Sequence, residues 1–207
     1  MKKILKYPDG SKREIDTEIR ETQKNFKKSR LGISFEQAIN ESNDYYLNKE
    51  IAAIYKKPTP VQIVKVDYPG RNKAKITEAY FKTPSTTDYN GIYKGKYIDF
   101  EAKSCKSSSF SFDNIYEHQI KHLELTEKLG GCSFLIIEFS TKNEIYLFPT
   151  KILVKKYNES IVGGRKSIPY ETFKNEGIQI ETGFNPRINY LKAVDQYFFY
   201  KEKDDSI

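Results

Sequence analysis

Residues 97–103 are Tyr97-Ile98-Asp99-Phe100-Glu101-Ala102-Lys103. Because successive side chains of a β-strand point to opposite faces of its sheet, their alternation of apolar and charged residues predicts a strand with two different faces. The apolar face holds Ile98, Phe100 and Ala102, and the charged face holds Asp99, Glu101 and Lys103. Burying carboxylates and an ammonium on such a strand costs free energy, because the charged groups lose water. We therefore expect these residues to have partners or a function.

A further carboxylate precedes this strand in the segment Thr86-Thr87-Asp88-Tyr89-Asn90-Gly91. Asn90-Gly91 and Lys94-Gly95 are turn signals, so a hairpin would bring Asp88 beside Glu101. Two carboxylates supply the hard oxygen ligands that Mg²⁺ prefers, and a lysine beside them can stabilise charge on a phosphate. The pattern therefore fits metal-dependent phosphodiester hydrolysis. For an arbitrary chain, a structural ion-pair network of the same residues is the better interpretation.

The wider apolar pattern predicts an α/β fold with a mixed central sheet flanked by helices. Further strands are predicted at 51–55, 61–66, 77–82, 132–139, 144–148 and 178–181. Helices are predicted after Ser34 with Gln37 completing a capping box, from Asp113 or Asn114 to about Leu129, at 150–157, after Pro169, and at 190–200. The nearly continuous apolar run 132–139 is typical of a strand that is covered on both faces.

Composition limits the class of protein. The 207 residues fit a single domain, and 35 basic against 28 acidic residues give a net charge of +7. Such a charge favours a polyanionic partner, with nucleic acid first and an anionic membrane surface second. The two cysteines form no CxxC or Cys/His cluster, which argues against a zinc ribbon and a disulfide framework. With neither a signal peptide nor an apolar run of membrane-spanning length, we expect a cytoplasmic protein.

Residues 1–30 differ from the rest of the chain. They contain ten basic and five acidic residues, a net +5, and few apolar ones. This composition predicts a flexible basic arm followed by a single domain at 31–207, although a solvated tail without a role is also consistent with it.

Several segments resemble the RecU-type Holliday-junction resolvases of the PD-(D/E)xK nuclease superfamily. Asp88 and Glu101-Ala102-Lys103 match the superfamily motif, with Thr87 where proline often stands. The more specific segments are residues 51–54, 56–69, 85–91, 97–103, 118–120, 163–168 and 186–188, which follow one another in the family's order. The resemblance implies a restriction-endonuclease-like fold with a projecting β-stalk at about residues 57–82.

The same resemblance implies a set of roles. Asp88 and Glu101 would bind Mg²⁺, Thr86 and Gln119 would complete the metal site, Lys103 would act on the transition state, and Glu36 would lie nearby. The implied activity is paired Mg²⁺-dependent cleavage of four-way junction DNA by a homodimer, in recombination and DNA repair. RecA, through Arg71, and branch-migration proteins are the implied partners.

Two further functions remain consistent with the sequence. The chain can be a duplex endonuclease of the same superfamily, or a non-catalytic accessory protein that binds branched DNA. Two of the site residues likewise have ordinary roles open to them: Glu36 can be a solvated helix residue, and Gln119 can cap a helix.

Basic residues are the candidate DNA contacts. Those in and near the stalk and in the turn at 163–167 are predicted to bind phosphates, with a solvated face as the alternative. They are Lys56, Lys57, Lys65, Arg71, Lys73, Lys75, Arg165 and Lys166. His118 and His122 share a helix face, and we interpret them as surface or phosphate-binding residues rather than zinc ligands. Tyr68 and Tyr80 can belong to the core or stack on unpaired bases, and we favour the core.

Overall fold

The strand that contains residues 97–103 lies inside a six-stranded sheet. The structure is a computed structural model that describes residues 2–6, 12–16, 33–82 and 86–200. From one edge of this sheet to the other, the strands are Ile178–Gln179 (β12), Glu144–Pro149 (β10), Cys132–Phe139 (β9), Lys96–Cys105 (β7), Tyr89–Tyr93 (β6) and Ala52–Lys56 (β3). Because β7 pairs parallel with β9 and antiparallel with β6, the predicted mixed sheet is confirmed.

The central strands β7 and β9 are covered on both faces. Every residue of β9 except Glu138 is buried, as its apolar run predicts. In β7, Ile98 and Phe100 are fully buried on one face, while Asp99 and Glu101 are fully buried on the other. The sheet therefore carries two carboxylates into the interior of the protein.

Helices cover both faces of the sheet. They are α1 (Phe35–Asn48), α2 (Glu117–Lys128), α3 (Thr150–Ile161), α4 (Tyr170–Glu176) and α5 (Tyr190–Val194). Helices α1 and α5 pack on the face that contains Phe100, whereas α2, α3 and α4 contribute to the cluster that contains Leu135. The first cluster includes an aromatic stack, in which the Phe100 ring lies 4.8 Å from that of Tyr89 and 5.1 Å from that of Phe134.

Helix boundaries follow the predictions in part. Ser34 caps α1, and its Oγ accepts the Gln37 N–H at 3.1 Å, but the Gln37 side chain donates to Glu41 instead of closing a capping box. Helix α2 begins at Glu117 rather than at Asp113 or Asn114, because Phe112–Asn114 form a separate 3₁₀ turn. The predicted closing helix at 190–200 changes to a π-helical turn at Asp195–Phe199.

The prediction of a turn at Asn90-Gly91 is wrong, because both residues lie within β6. Glycine suits this position because a Cβ on Gly91 would lie 2.0 Å from the carbonyl oxygen of Ala53 in the neighbouring strand β3. The chain turns instead at Lys94-Gly95, where both residues have positive φ. This turn joins β6 to β7 as the predicted hairpin.

Strands β4 (Val61–Asp67) and β5 (Lys75–Phe81) form a two-stranded sheet of their own. All their residues are exposed except Val66, which is half-buried. The hairpin is consistent with the predicted stalk at 57–82, a name we keep for these residues. Tyr68 and Tyr80 are 76% and 62% exposed, so their assignment to the core is wrong.

Two short strand pairs complete the described fold. Strand β8 (Ser109–Ser111) pairs with β11 (Ser167–Pro169), and β1 (Lys2–Lys6) pairs with β2 (Lys12–Asp16). The remainder of the predicted arm at 1–30 lies outside the described residues. Both cysteines are buried, and neither is in a disulfide bond. Among the helices that the structure describes, none has the length and apolar character needed to cross a membrane.

Candidate active site

The β6–β7 hairpin brings together the predicted residues Asp88, Glu101 and Lys103. The backbone N–H of Asp88 donates to Glu101 Oε2 at 3.1 Å. The Nζ of Lys103 lies 2.7 Å from Glu101 Oε1. Glu101 is fully buried, Asp88 is half-buried, and the side chain of Lys103 is 24% exposed. The carboxylate of Glu101 is thus shared between a backbone donor and a cation at the edge of solvent.

Burial shifts the titration of this carboxyl group. It raises the pKa of Glu101 from 4.5 to about 7, and the nearby Asp88 carboxylate adds to the increase, while Lys103 opposes it. Two carboxylates held close together away from water disfavour double ionisation. A bound cation would relieve this repulsion.

The donor set fits a hard divalent cation. Glu101 Oε1 is buried without a hydrogen bond and is ion-paired with Lys103 Nζ at 2.7 Å. An oxygen that has lost water without gaining a hydrogen bond can accept a metal instead. Within the described ranges, no three His, Cys, Asp or Glu side chains form a metal-binding group. In the predicted site, Thr86 and Gln119 would add neutral oxygens to the two carboxylates.

The other predicted site residues have separate surroundings. Gln119 is buried in the first turn of α2, where its Oε1 accepts the N–H of Tyr116 at 3.0 Å, so the contact expected of a helix cap is present. Thr86 is half-buried, two residues before Asp88. Metal binding by Thr86 and Gln119 stays a prediction.

Glu36 lies in the first turn of α1 and is ion-paired with Lys56 at 2.6 Å. The negative charge of Glu36 affects the β6–β7 hairpin. Burial is the main cause that raises the pKa of Tyr89, and the charges of Glu36, Asp88 and Glu101 raise it further. Glu36 is therefore near the site, with an exposed side chain.

A second buried carboxylate, Asp99, was assigned no role from the sequence. Its Oδ2 accepts from Lys57 Nζ at 3.0 Å and from the Tyr97 hydroxyl at 2.9 Å, and its Oδ1 accepts from the Thr87 hydroxyl. The Nε2 of His122 lies 3.1 Å from Oδ2. His122, whose side chain is 24% exposed, is thus paired with a buried carboxylate, a contact that the sequence did not predict. Its binding to DNA phosphate stays a prediction. The alternation that placed Asp99 on the charged face was the available signal.

The candidate DNA contacts divide into two groups. Lys57 and Lys56 direct their ammonium groups to Asp99 and Glu36, and Lys166 donates to the carbonyl of Ser160. The predicted contacts on the stalk that are exposed and lie outside these ion pairs are Lys65, Arg71, Lys73 and Lys75. Arg165 is also exposed and donates to Ser167 Oγ at 3.0 Å. The stalk residues are therefore the more accessible candidates for phosphate contacts.

Comparison with known proteins gives consistent matches. The family described as Recombination protein U, RecU, matches residues 30–196. "Holliday junction resolvase RecU" of Pediococcus pentosaceus is 55% identical over 166 residues, which are 80% of this chain and 83% of that protein. The protein of the same name from Bacillus cereus is 45% identical over 197 residues, or 94% of this chain and 98% of that protein. A structure of Archaeoglobus fulgidus Hjc, described as a Holliday junction resolvase, covers 68% of this chain and 94% of its own at 11% identity, with a TM-score of 0.41.

Proposed function

The chain belongs to the RecU family, and we propose that it is a Mg²⁺-dependent endonuclease that resolves Holliday junctions by paired phosphodiester cleavage in recombination and DNA repair. The observation that supports this most is the fully buried carboxylate of Glu101, held between the Asp88 backbone and Lys103 with one oxygen lacking a hydrogen bond. A buried carboxylate oxygen without a hydrogen bond is able to bind a cation.

The proposed roles follow from position and charge. Asp88 and Glu101 would hold the metal, with Thr86 and Gln119 adding neutral oxygens. Bound Mg²⁺ would supply an activated water and neutralise charge on the phosphate. Lys103 is fixed by Glu101 at the edge of solvent, where its ammonium can orient that water or stabilise the negative charge of the transition state. Glu36 would contribute negative charge at the rim of the site.

The substrate and the assembly belong to the same proposal. A four-way junction has near two-fold symmetry, and a homodimer would present two sites to opposing strands. The stalk, with its exposed basic residues, would contact the phosphates where the duplexes meet. Binding would depend on the shape of the DNA more than on base sequence. RecA, through Arg71, and branch-migration proteins are proposed as partners in the cytoplasm.

A cleavage assay tests the function directly. A labelled four-way junction and a matched linear duplex are incubated with the protein, in Mg²⁺ and in EDTA. We expect paired nicks in the junction alone, and only with Mg²⁺. Cleavage of the duplex to the same extent would instead identify a duplex endonuclease. Junction binding without cleavage would identify an accessory protein.

Shortening the stalk tests how the junction is selected. Lys82 N–H donates to the carbonyl of Pro60 at 3.0 Å, so the ends of residues 61–81 are adjacent and a short turn can replace them. We expect the shortened protein to lose its preference for junction over duplex while keeping Lys57 in place. An unchanged preference in a binding assay would contradict a selective role for the stalk.

A further inference from the structure

The partners of Asp99 come from separate parts of the chain. Lys57 lies at the root of the stalk, Thr87 is in the segment 86–88 that contains Asp88, and His122 is in α2. Tyr97, two residues before Asp99 in β7, donates the remaining hydrogen bond at 2.9 Å. A single carboxylate thus joins the stalk root, the segment 86–88 and a helix to the central strand.

Burial makes these contacts mutually dependent. Asp99 is fully buried, while the Lys57 side chain is 20% exposed. A buried carboxylate is tolerated only when hydrogen-bonded donors replace the water it has lost. The Lys57 ammonium also donates to Thr87 Oγ1 at 3.0 Å, which closes a triangle with Asp99. We call Asp99, Lys57 and Thr87 the Asp99 clamp.

The clamp is directly connected to the candidate metal ligands. The N–H of Lys57 donates to the carbonyl of Asp88 at 2.7 Å, and the N–H of Asp88 donates to Glu101 at 3.1 Å. Asp88 is therefore held between the stalk root on one side and Glu101 on the other. Any shift of Lys57 alters the position of Asp88.

We propose that Asp99 is a positioning residue, which fixes Asp88 against Glu101 and makes that arrangement depend on the root of the stalk. Asp99 acts through Lys57 and Thr87 rather than on the substrate. The inference rests on the proposed function in one respect, since Asp88 and Glu101 must be the metal ligands for it to affect cleavage. If Asp99 positions Asp88 in this way, movement of the stalk on a junction changes the geometry of the metal site.

The chain contains a matched control for Asp99. Asp195 also accepts from a tyrosine and a lysine: the Tyr93 hydroxyl at 3.0 Å and Lys94 Nζ at 2.5 Å. It lies at the turn end of the β6–β7 hairpin, away from Asp88, and contacts neither the stalk nor the segment 86–88 through these bonds. Asp195→Asn therefore removes the same kind of network without touching the clamp.

Amide hydrogen exchange in the metal-free, DNA-free protein tests the clamp independently of catalysis. In Asp99→Asn, we expect exchange at the Lys57 and Asp88 amides to be faster by about tenfold, because the loss of a charged acceptor frees both segments. Asp195→Asn should leave these two amides unchanged. Equal exchange in Asp99→Asn and the wild type, or the same acceleration in Asp195→Asn, would overturn the proposal.

A second pair of variants decides the matter if Asp99→Asn fails to fold. Lys57→Met removes the ammonium of the clamp, and Lys57 is a partly exposed residue. Lys56→Met removes the charge of the neighbouring lysine, which is paired with Glu36. We expect faster exchange at the Asp88 amide by about tenfold in Lys57→Met only. Equal behaviour of the two variants would refute the clamp.

Metal titration of junction cleavage separates positioning from a direct role. In Asp99→Asn, we expect the Mg²⁺ concentration for half-maximal cleavage to rise by about tenfold or more, with the rate at saturating Mg²⁺ within about threefold of the wild type. An unchanged Mg²⁺ requirement, or a rate that saturating Mg²⁺ does not restore, would contradict positioning. If the wild type does not cleave junctions at all, the proposed function fails, and the exchange results still decide whether the clamp exists.

Discussion

The two faces of strand β7 are equally buried and chemically opposite. On one face, Phe100 lies in an aromatic stack between Tyr89 and Phe134. On the other, Asp99 and Glu101 are just as inaccessible to solvent. The comparison teaches that burial alone does not identify the residues that stabilise a fold. The apolar face stabilises it, whereas the charged face is tolerated through its partners.

The two carboxylates of the charged face also differ from each other. Asp99 is bonded by a lysine, a tyrosine, a threonine and a histidine. Glu101 has one backbone donor and one ion pair, and one of its oxygens has no hydrogen bond. The first arrangement holds segments of the chain together, and the second is the one that we propose for the metal.

The largest expected effect separates activity from stability on the two faces. Glu101→Gln removes a charge that the proposed metal needs, so we expect junction cleavage to fall by about a thousandfold or more with junction binding retained. Single-turnover cleavage and a gel-shift assay in Ca²⁺ or EDTA measure the two properties. We expect Asp88→Asn to lose cleavage and retain binding in the same way. Asp195→Asn is the folded control, which should keep both properties. Full cleavage by Glu101→Gln in Mg²⁺ would remove Glu101 from the site.

On the apolar face of β7, we expect a substitution to lower stability. Phe100→Ala leaves a cavity in the aromatic stack, and we expect the free energy of unfolding to fall by about 3–5 kcal/mol. Urea denaturation measures it. Phe81→Ala, at an 83% exposed stalk position, should change stability by less than about 0.5 kcal/mol. Similar values for the two variants would mean that the aromatic stack contributes no more to stability than an exposed stalk residue.

The candidate site was predictable because its pattern is local. The alternation in residues 97–103 sets Glu101 and Lys103 on one face, and a hairpin is enough to add Asp88. The apolar run of β9 likewise defines its covered position without other information. Such features depend on neighbours in sequence, which a single chain displays.

The errors arose where distant segments decide the structure. Asn90-Gly91 is locally a turn signal, yet the close approach of Ala53 places it in a strand. The donors of Asp99 at positions 57, 87 and 122 have no common sequence pattern. Tyr68 and Tyr80 have the apolar character of core residues, but the separate stalk sheet leaves them exposed.

A smaller effect concerns the dependence of stability on pH. The pKa of Glu101 is raised to about 7 in the folded protein, so the folded state binds this proton more tightly than the unfolded state. The resulting stability is complete below the ordinary pKa of 4.5 and is lost as the pH rises through 7. Glu101→Gln has no such titration. In EDTA, we expect wild-type stability relative to Glu101→Gln to fall by about 1–3 kcal/mol between pH 5 and pH 8.

Urea denaturation of both proteins at the two pH values measures this difference, in which the titration of other groups cancels. Added Mg²⁺ should recover part of the loss at pH 8 in the wild type only, because a ligand that binds the folded state stabilises it. A difference that stays constant between pH 5 and pH 8 would mean that Glu101 is ionised in the folded protein throughout this range.

The smallest expected effect tests whether burial strengthens an otherwise ordinary contact on the charged face. Tyr97 donates to Asp99, and Tyr80 on the stalk donates to Glu78, each at 2.9 Å and each to a carboxylate two residues away along a strand. Asp99 is fully buried and Glu78 is exposed. Tyr97→Phe should therefore lower the free energy of unfolding by about 0.5–1.5 kcal/mol in urea denaturation, since the buried Asp99 keeps its other donors but loses one. Tyr80→Phe should cost less than about 0.5 kcal/mol, because water takes the place of the hydroxyl. Equal costs would mean that water reaches Asp99 when Tyr97 is truncated, and that the charged face of β7 is less isolated from solvent than its apolar face.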